Sequence, residues 1–252
     1  MKTYLQLLEE SLPEHEHPRY AAWRAYALSG EERAAPVVKT LQGLVDLPAS
    51  KVLDLGCGDG GLTIAVSRAG AVVTAIDIDH ASVTRTHTKL EEQKVTSSVV
   101  LASAESLPLA SRSMDVVIAQ DMIEHVCNPV RILREINRVL RVGGLCLISA
   151  ANRLAWMNIV SDPHWGLAGV TLMPRWLATW YVCKVRRCTQ HYDVWHLPSR
   201  LVLSRWLRAA NLKLRNEETQ SHNLFSDFCQ SVISIIAFKA TEVEHYDDIR
   251  AH

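Results

Sequence analysis

The sequence predicts an α/β protein: a doubly wound, mostly parallel sheet of seven strands, with an N-terminal helical extension and an inserted cap. Three observations favour this fold. From Lys51 onward, short apolar runs alternate with segments of helical periodicity, which is typical of parallel strands covered on both faces. A glycine-rich stretch from Gly56 to Gly61 directly follows the first run. Of the 252 residues, 48% are hydrophobic and 21% are charged, which argues against extensive disorder.

Strand-like runs and helical segments follow one another in a regular order up to residue 150. The predicted strands are KVLDL, AVVTAIDID, SVVLASA, MDVVIAQ and LCLISA, and the helices GLTIAVSRAG and ASVTRTHTKLEEQK follow the first two strands. A third helix is predicted to begin with Asn128 as N-cap and Pro129 in the first helical position, and Gly143-Gly144 are predicted to end that unit. After residue 198 the pattern resumes with the helix SRLVLSRWLRAAN and the strands LKLRNEETQ and SVISIIAFKA.

This pattern divides the chain into four predicted segments. Residues 1–45 form a polar helical extension, and residues 46–150 form the ligand-binding α/β core. Residues 151–198 contain five of the seven tryptophans and are too long for an ordinary connection, so they are interpreted as a cap over the ligand end of the sheet. Residues 199–252 complete the core.

Charge and cysteine usage exclude several classes of protein. Lysine plus arginine number 27 and aspartate plus glutamate number 27, and no basic stripe is present, so a nucleic-acid partner is not expected. The first residues lack the apolar run of a signal peptide, and the six cysteines show no CxxC spacing. We therefore predict a cytoplasmic protein with reduced thiols.

The glycine loop is the most informative motif. Its spacing, Gly56-x-Gly58-x-x-Gly61, lies between the first strand and the first helix, where open parallel sheets bind their ligands. Glycines in this position let the backbone approach a ligand closely. The same spacing also fits a dinucleotide fingerprint, which by itself is weak evidence.

Acidic residues around the loop distinguish between the two ligands. A pyrophosphate on the helix N-terminus would be repelled by Asp54, which ends the strand, and by Asp59, which lies within the loop. Acids there suit a ligand that carries a cation, such as a sulfonium. Asp77, at the end of the second strand, lies where a carboxylate accepts hydrogen bonds from ribose hydroxyls. The pattern therefore favours S-adenosylmethionine (SAM).

These stretches resemble the class I SAM-dependent methyltransferases, and in particular the type 11 group that includes the ubiquinone-biosynthesis O-methyltransferases. VLDLGCGDGG is similar to the first motif of that family, and TAIDID to its ribose motif. ASAESLPLASRSMDVVIAQDMIEHV and INRVLRVGGLCLISAANR are similar to the stretches around the fourth and fifth strands. The resemblance covers about residues 45–155 and the closing elements after residue 198, and it implies a Rossmann-like sheet.

The resemblance also implies which residues contact SAM. They lie in the glycine loop, at the end of the second strand and after the third and fourth strands: Asp54, Gly56, Cys57, Gly58, Gly60, Asp77, Ile78, Ser103, Ala104, Glu105 and Gln120. Ser103 stands where the family usually has an aspartate that accepts from the adenine amino group. The adenine contact is then expected to be a weaker bond from Ser103, or a backbone contact from Ala104 and Glu105.

Two histidines are the candidate catalytic bases: His164, in the loop Asp162-Pro163-His164-Trp165, and His125. A base within hydrogen-bond reach would remove a proton from the methyl acceptor. Behind these two candidates stand His191 and His196.

The run Asp121-x-x-Glu124-His125 has two interpretations. On a helical turn these three side chains share one face and could hold a divalent ion. Alternatively, Asp121 caps the turn and Glu124 completes a capping box. We expect the second arrangement, with no bound metal.

The predicted function is methyl transfer from SAM to an oxygen, or a nitrogen, of a small-molecule or lipid-linked acceptor. The alternatives are an NAD-dependent oxidoreductase on a similar sheet, against which Asp54 and Asp59 count, and a non-catalytic SAM-binding protein. The tryptophan-rich segment is either the packing of the cap or a substrate pocket. Its stretch WLATWYVCKVRR could also rest on a membrane surface, and no oligomeric state is preferred.

Overall fold

A computed structural model of the chain describes residues 2–12, 19–215 and 231–240. The strands are β1 (Lys51–Leu55), β2 (Val72–Asp77), β3 (Ser98–Leu101), β4 (Met114–Gln120), β5 (Leu140–Ala151), β6 (Leu212–Leu214) and β7 (Val232–Lys239). The helices are α1 (Tyr4–Ser11), α2 (Tyr20–Leu28), α3 (Gly30–Gln42), α4 (Gly61–Arg68), α5 (His80–Glu92), α6 (Pro129–Val139), α7 (Trp156–Val160), α8 (Arg175–Trp180) and α9 (Arg200–Ala209).

The seven strands form one sheet in the order β3-β2-β1-β4-β5-β7-β6. The pairs β1–β2, β1–β4 and β2–β3 are parallel, whereas β7 is antiparallel to both β5 and β6. The α/β fold and the seven strands are therefore confirmed, and the sheet is mixed. An antiparallel neighbour needs no crossover helix, so the alternation of strands and helices does not reveal the reversal at β7.

The central strands are largely buried because both faces of the sheet are covered. In β1, Val52, Leu53 and Leu55 are buried, and in β4 the run from Val116 to Ala119 is fully buried. Continuous burial of this kind is typical of parallel strands between two layers of helices.

The start of α6 confirms the predicted cap, and its end corrects a prediction. The backbone N–H of Arg131 donates to Asn128 Oδ1 at 3.1 Å, and Pro129 is the first helical residue. We predicted that Gly143 and Gly144 end this unit before the next strand. In the structure β5 begins at Leu140, directly after the helix, and both glycines lie within the strand.

Contact density divides the chain into two units, one of Met1–Ile118 with Arg138–Gly144 and one of Ala119–Asn137 with Leu145–His252. In the first unit, α3 packs against α4, and α1 contacts α5. The four segments predicted from sequence follow different boundaries and stay a prediction.

The second unit has an apolar cluster of its own within the tryptophan-rich segment. Its buried members come from the loop before α8, from α8 itself and from the chain after it: Leu167, Val170, Ala178, Val182, Tyr192 and Val194. A segment with such a cluster is a folded element rather than an extended connection. Across the described parts of the chain, every helix is too short or too polar to cross a bilayer.

The contact between α3 and α4 depends on two glycines and yields a prediction. A Cβ at Gly61 would lie 2.5 Å from the carbonyl carbon of Gly30 and 2.7 Å from its Cα, and backbone atoms cannot rotate away as a side chain can. Gly61→Ala should therefore lower the free energy of unfolding by about 1–3 kcal/mol, measured by chemical denaturation.

Gly43→Ala is the matched control. Gly43 has a φ of −78° and the nearest heavy atom to its added Cβ would lie at 3.5 Å, which is ordinary contact. Its stability should change by no more than about 0.5 kcal/mol. Equal effects of the two substitutions would contradict the proposed close approach of α3 and α4.

Candidate functional site

The loop after β1 depends on three glycines with positive φ. Gly56, Gly58 and Gly60 have φ values of 78°, 52° and 72°, a region that is costly for other residues. The backbone N–H groups of Gly56 and Cys57 both donate to the carbonyl of Ile76 in β2, at 2.8 and 3.1 Å. The loop is therefore held against the end of the neighbouring strand.

Asp77 completes this attachment with its side chain. Its Oδ2 accepts from the N–H of Gly58 at 3.0 Å, and its Oδ1 accepts from the N–H of Asp79 at 2.9 Å. Each carboxylate oxygen can accept a second hydrogen bond, so both keep capacity for a ligand donor. Asp79 itself caps α5 through the N–H groups of Ala81 and Ser82, which leaves Asp77 outside the helix cap.

The other two acids near the loop already have partners. Asp54 is 2% exposed and accepts from the hydroxyl of Thr63 at 2.6 Å, and burial raises the pKa of Asp54 to about 6. Asp59 forms an ion pair with Arg85. Its charge is therefore neutralised within the protein, which leaves Asp54 and Asp77 as the acids near the loop that could attract a cationic ligand.

The remaining predicted SAM residues lie at the ends of β2, β3 and β4. After β3, the N–H of Ala102 donates to the carbonyl of Asp77 at 2.9 Å, and Ser103 Oγ accepts from the N–H of Glu105 at 3.2 Å. Ile78 is mostly exposed, and Gln120 is half-buried at the end of β4.

Cys57 is buried, and that burial raises the pKa of its thiol. It therefore fills space beneath the loop rather than presenting a thiolate.

The second unit brings three polar side chains together. The atoms of Glu124, His125 and His164 that could ligate a metal, a carboxylate oxygen and two ring nitrogens, lie within 4.8 Å of one another. We call these three residues the polar cluster. Glu124 and His125 belong to a short 3₁₀ turn, Ile123–His125, and His164 comes from the loop that follows α7. The ring centroids of His125 and His164 are 5.2 Å apart, in an edge-to-face arrangement.

Glu124 is the buried member of the polar cluster, being 2% exposed. Its Oε1 accepts from the N–H of Ala151 at 3.3 Å, while its Oε2 is buried and has no hydrogen-bond partner in the described parts of the chain. Burial raises the pKa of Glu124 to about 7.

The predicted capping box is not present. Met122 occupies the N-cap position of the turn, which has no side-chain cap. Asp121 instead has a φ of 51°, and its Oδ1 accepts from the hydroxyl of Ser149 at 3.0 Å. His164 rather than Asp121 therefore completes the group with Glu124 and His125.

The two histidines of the polar cluster have opposite pKa shifts. Burial opposes protonation of His125, but its contact with Asp193, with Nδ1 and Oδ2 3.4 Å apart, and the nearby Glu124 outweigh burial and raise the pKa of His125. Burial and then the neighbouring His125 lower the pKa of His164 to about 4. His164 is therefore neutral at pH 7.

His191 and His196 lie outside the polar cluster. His191 is exposed, and His196 Nε2 lies 3.1 Å from the carbonyl of Cys127. Asp193, two residues after His191, was not among the candidates from sequence. It lies 68 positions after His125 in an unremarkable stretch, so no local spacing could have revealed the pair.

Asp162 organises the loop that carries His164. It is buried, and its carboxylate accepts from three backbone N–H groups: His164 at 3.0 Å, Trp165 at 2.9 Å and Leu167 at 2.7 Å. Three such bonds satisfy the buried carboxylate and fix the loop around it.

The chain is similar in sequence to known methyltransferases. A family model described as "Methyltransferase domain" matches residues 53–148. The ubiquinone biosynthesis O-methyltransferase of Xanthomonas campestris pv. campestris (strain B100) is 34% identical over 175 residues, which are 68% of this chain and 66% of that protein. The protein of the same name from Histophilus somni (strain 2336) is 30% identical over 190 residues, 71% of each chain. The aligned part thus spans just under two thirds of the Xanthomonas relative.

Solved structures are similar in fold. A SAM-dependent methyltransferase from Aquifex aeolicus has a TM-score of 0.58 and 14% identity, covering 95% of this chain and 100% of its own. One from Methanosarcina mazei has a TM-score of 0.60 and 20% identity, covering 81% of this chain and 98% of its own. The [4+2]-cyclase SpnF has a TM-score of 0.58 and 18% identity, covering 83% of this chain and 81% of its own. A shared fold therefore does not specify the reaction.

The role of Asp162 as the organiser of its loop can be tested. Asp162→Ala leaves one buried and two partly buried N–H groups without an acceptor and should lower the free energy of unfolding by about 2–5 kcal/mol. Hydrogen exchange at the amides of Trp165 and Leu167 should accelerate. Asp162→Asn keeps one acceptor oxygen and should lose less stability.

The amide of Val202, which donates to Ser199 Oγ in α9, is the reference for this measurement. Its exchange should not change in either variant. If exchange at the Val202 amide accelerated in Asp162→Ala by as much as exchange at Trp165 and Leu167, the destabilisation would be global. That result would refute the local role of Asp162.

Proposed function

The chain belongs to the class I SAM-dependent methyltransferase family, and on this premise we propose that it methylates an oxygen of a small-molecule or lipid-linked acceptor. The choice of oxygen over nitrogen is supported by the relatives named ubiquinone biosynthesis O-methyltransferase. The observation that carries the proposal is the polar cluster of Glu124, His125 and His164 with Asp193 beside it.

SAM is the methyl donor of this family, and the loop after β1 with the end of β2 is proposed to bind it. Gly56, Gly58 and Gly60 let the backbone lie close to the nucleoside, and Asp77 accepts the ribose hydroxyls. The turn after β3, with Ser103, is proposed to contact the adenine. The remaining SAM contacts are expected from the other residues of these elements.

His125 is proposed as the base that removes the acceptor's proton. Asp193 faces Nδ1 of His125, which favours the tautomer with its proton on Nδ1 and leaves Nε2 to accept a proton. His164, neutral at pH 7, is the second candidate and a hydrogen-bond partner for the acceptor. Since the sulfonium methyl is already electrophilic, alignment of the oxygen with that carbon provides a large part of the rate enhancement.

The two alternatives are separated from this proposal by measurement. Because the chain belongs to a SAM-dependent family, its expected nucleoside ligand is SAM and not NAD. A non-catalytic SAM-binding protein would bind S-adenosylhomocysteine but release none when given SAM with a panel of phenols, catechols and amines. Release that depends on a hydroxylated acceptor supports the proposed O-methylation, and release with amines alone would contradict it.

The role of Asp77 predicts a loss of nucleoside affinity. Asp77→Asn removes the charge that strengthens the ribose hydrogen bonds, so calorimetry should show S-adenosylhomocysteine binding at least roughly tenfold weaker. Asp79→Asn is the matched control, because asparagine caps helices as well as aspartate does, and its affinity should match wild type. Equal affinities for both variants would refute the assignment of Asp77.

The role of His125 predicts changes in rate and in pH dependence. His125→Gln should lower kcat by about 10²–10⁴-fold without changing S-adenosylhomocysteine affinity, whereas His191→Gln should leave kcat unchanged. A neutral His125 is the active form, and Asp193 raises its pKa. Asp193→Asn should therefore lower that pKa and move the acid limb of the pH–rate profile to lower pH. An unmoved acid limb would contradict the pairing.

The polar cluster also forms a donor set of one carboxylate and two imidazoles, a combination that several transition metals accept. The proposed reaction does not use a metal. Activity should survive dialysis against a chelator and should not rise when Zn²⁺, Mn²⁺ or Mg²⁺ is added. Loss of activity that one of these ions restores would assign the polar cluster to metal binding instead.

A peripheral membrane contact is proposed for the face of α8, which suits a lipid-linked acceptor. Trp176 and Trp180 are 72% and 55% exposed, and exposed Lys184, Arg186 and Arg187 follow them. Binding to phosphatidylglycerol vesicles should fall at least roughly tenfold in the Trp176→Ser/Trp180→Ser variant. Leu201→Ser, which alters another exposed apolar side chain, is the control, and an equal loss there would refute this face.

A further inference from the structure

The second unit contains a cavity of about 450 Å³ whose wall is both aromatic and cationic. Its lining includes the side chains of Arg153, Thr171, Arg175, Trp195, His196 and Trp206. This volume is within the range of sites that hold a ring-sized organic ligand. No aspartate or glutamate from the described parts of the chain lines the cavity, so its charged wall is entirely positive.

The two arginines are held in place without a carboxylate. The guanidinium of Arg175 lies over the ring of Trp195, 3.7 Å from the centroid, and an NH₂ group of Arg153 donates to the carbonyl of Leu172 at 2.9 Å. Within residues 2–12, 19–215 and 231–240, neither guanidinium has an acidic side chain at ion-pair distance. Among these residues, both positive charges are therefore left to bind a ligand.

Two polar atoms at the cavity also lack partners. Thr171 is 1% exposed, and its Oγ1 is buried with no hydrogen-bond partner among the described residues. The Nε of Arg175 is also buried and has no hydrogen-bond partner among the described residues. Buried donors normally have partners, so these two donors indicate that a ligand acceptor belongs in the cavity.

We propose that this cavity binds the methyl acceptor through an oxyanion, a carboxylate or a phosphate, carried on a ring or another apolar body. Arg153 and Arg175 bind the oxyanion, Thr171 donates to it, and Trp195 and Trp206 pack against the apolar part. This inference rests on the proposed function, because it names the substrate class of the same enzyme.

One short segment connects the cavity to the polar cluster. Val194, Trp195 and His196 line the cavity, and Asp193, in the same run, contacts His125. The backbone N–H groups of Trp195 and His196 donate to the carbonyl of Glu124 at 2.8 and 3.1 Å. A ligand in the cavity is therefore held by the segment that also positions His125.

Binding of simple probes to the full-length protein tests the charge preference. Calorimetry with benzoate and phenyl phosphate, compared with uncharged benzyl alcohol, should show that at least one anion binds roughly tenfold tighter or more. The two anions distinguish a carboxylate site from a phosphate site. Affinity for benzyl alcohol equal to that for both anions would overturn the proposal.

Substitutions then locate the site. Arg153→Gln and Arg175→Gln should each weaken the preferred anion by about tenfold or more and leave benzyl alcohol affinity nearly unchanged. Arg134→Gln, at an exposed arginine of α6 outside the cavity, is the matched control and should have no effect. Equal weakening by Arg134→Gln would mean that the effect comes from general surface charge, which would overturn the site.

A second measurement uses the unmodified protein, in case the Arg175 variant fails to fold without its stacking on Trp195. Phenylglyoxal modification followed by mass spectrometry should show that the preferred anion protects Arg153 and Arg175 but not the exposed Arg134. Absence of protection would overturn the proposal. Binding of S-adenosylhomocysteine, measured separately, reports on the proposed function, so failure of the anion site and failure of the methyltransferase assignment give different results.

Discussion

The attachment of the glycine loop to the end of β2 is the constraint on which the nucleoside site depends. Gly56 and Cys57 donate to the carbonyl of Ile76, and Gly58 donates to the carboxylate of Asp77. A loop of glycines alone would lose much conformational entropy on folding and would be poorly ordered. Three hydrogen bonds to one strand end offset that cost, and all three donors are backbone N–H groups, so the loop needs no bulky side chain of its own. The residue proposed to bind ribose thus also helps to shape the loop beside it.

Two buried carboxylates have a similar organising role in the second unit, but they differ in the number of hydrogen-bond donors around them. Asp162 accepts from three backbone N–H groups, so its hydrogen-bonding capacity is used and its loop is fixed. Glu124 has one amide donor at Oε1 and none at Oε2 in the part of the chain that the structure describes, and its pKa is raised. The first carboxylate therefore positions His164, and the second remains poised to exchange a proton or a ligand bond. Identical chemical groups have different uses because the number of donors around them differs.

The sequence predicted what is encoded locally and missed what depends on distant partners. The cap at Asn128, the buried β1 and β4 and the positive-φ loop glycines all follow from neighbouring residues, and the structure agrees with them. The antiparallel β7 was missed because strand direction is set by a connection that has no periodic signal. The sequence pattern does not reveal that Asp59 is neutralised, because its partner Arg85 lies 26 positions away along the chain. The contact between Asp193 and His125 is equally non-local.

The location of incomplete hydrogen bonding supports function in the second unit independently of any family resemblance. Glu124, His164, Thr171 and Arg175 each have a buried polar atom without a partner among the described residues. Each such atom costs about 1–3 kcal/mol of stability, and a protein with a net stability of roughly 5–15 kcal/mol retains few of them without a reason. These four residues lie in the polar cluster and in the cavity wall. The segment from Asp193 to His196 contacts the polar cluster and also lines the cavity. A ligand that supplied the missing partners would recover that free energy on binding, so the same atoms that weaken the free protein would strengthen its complex.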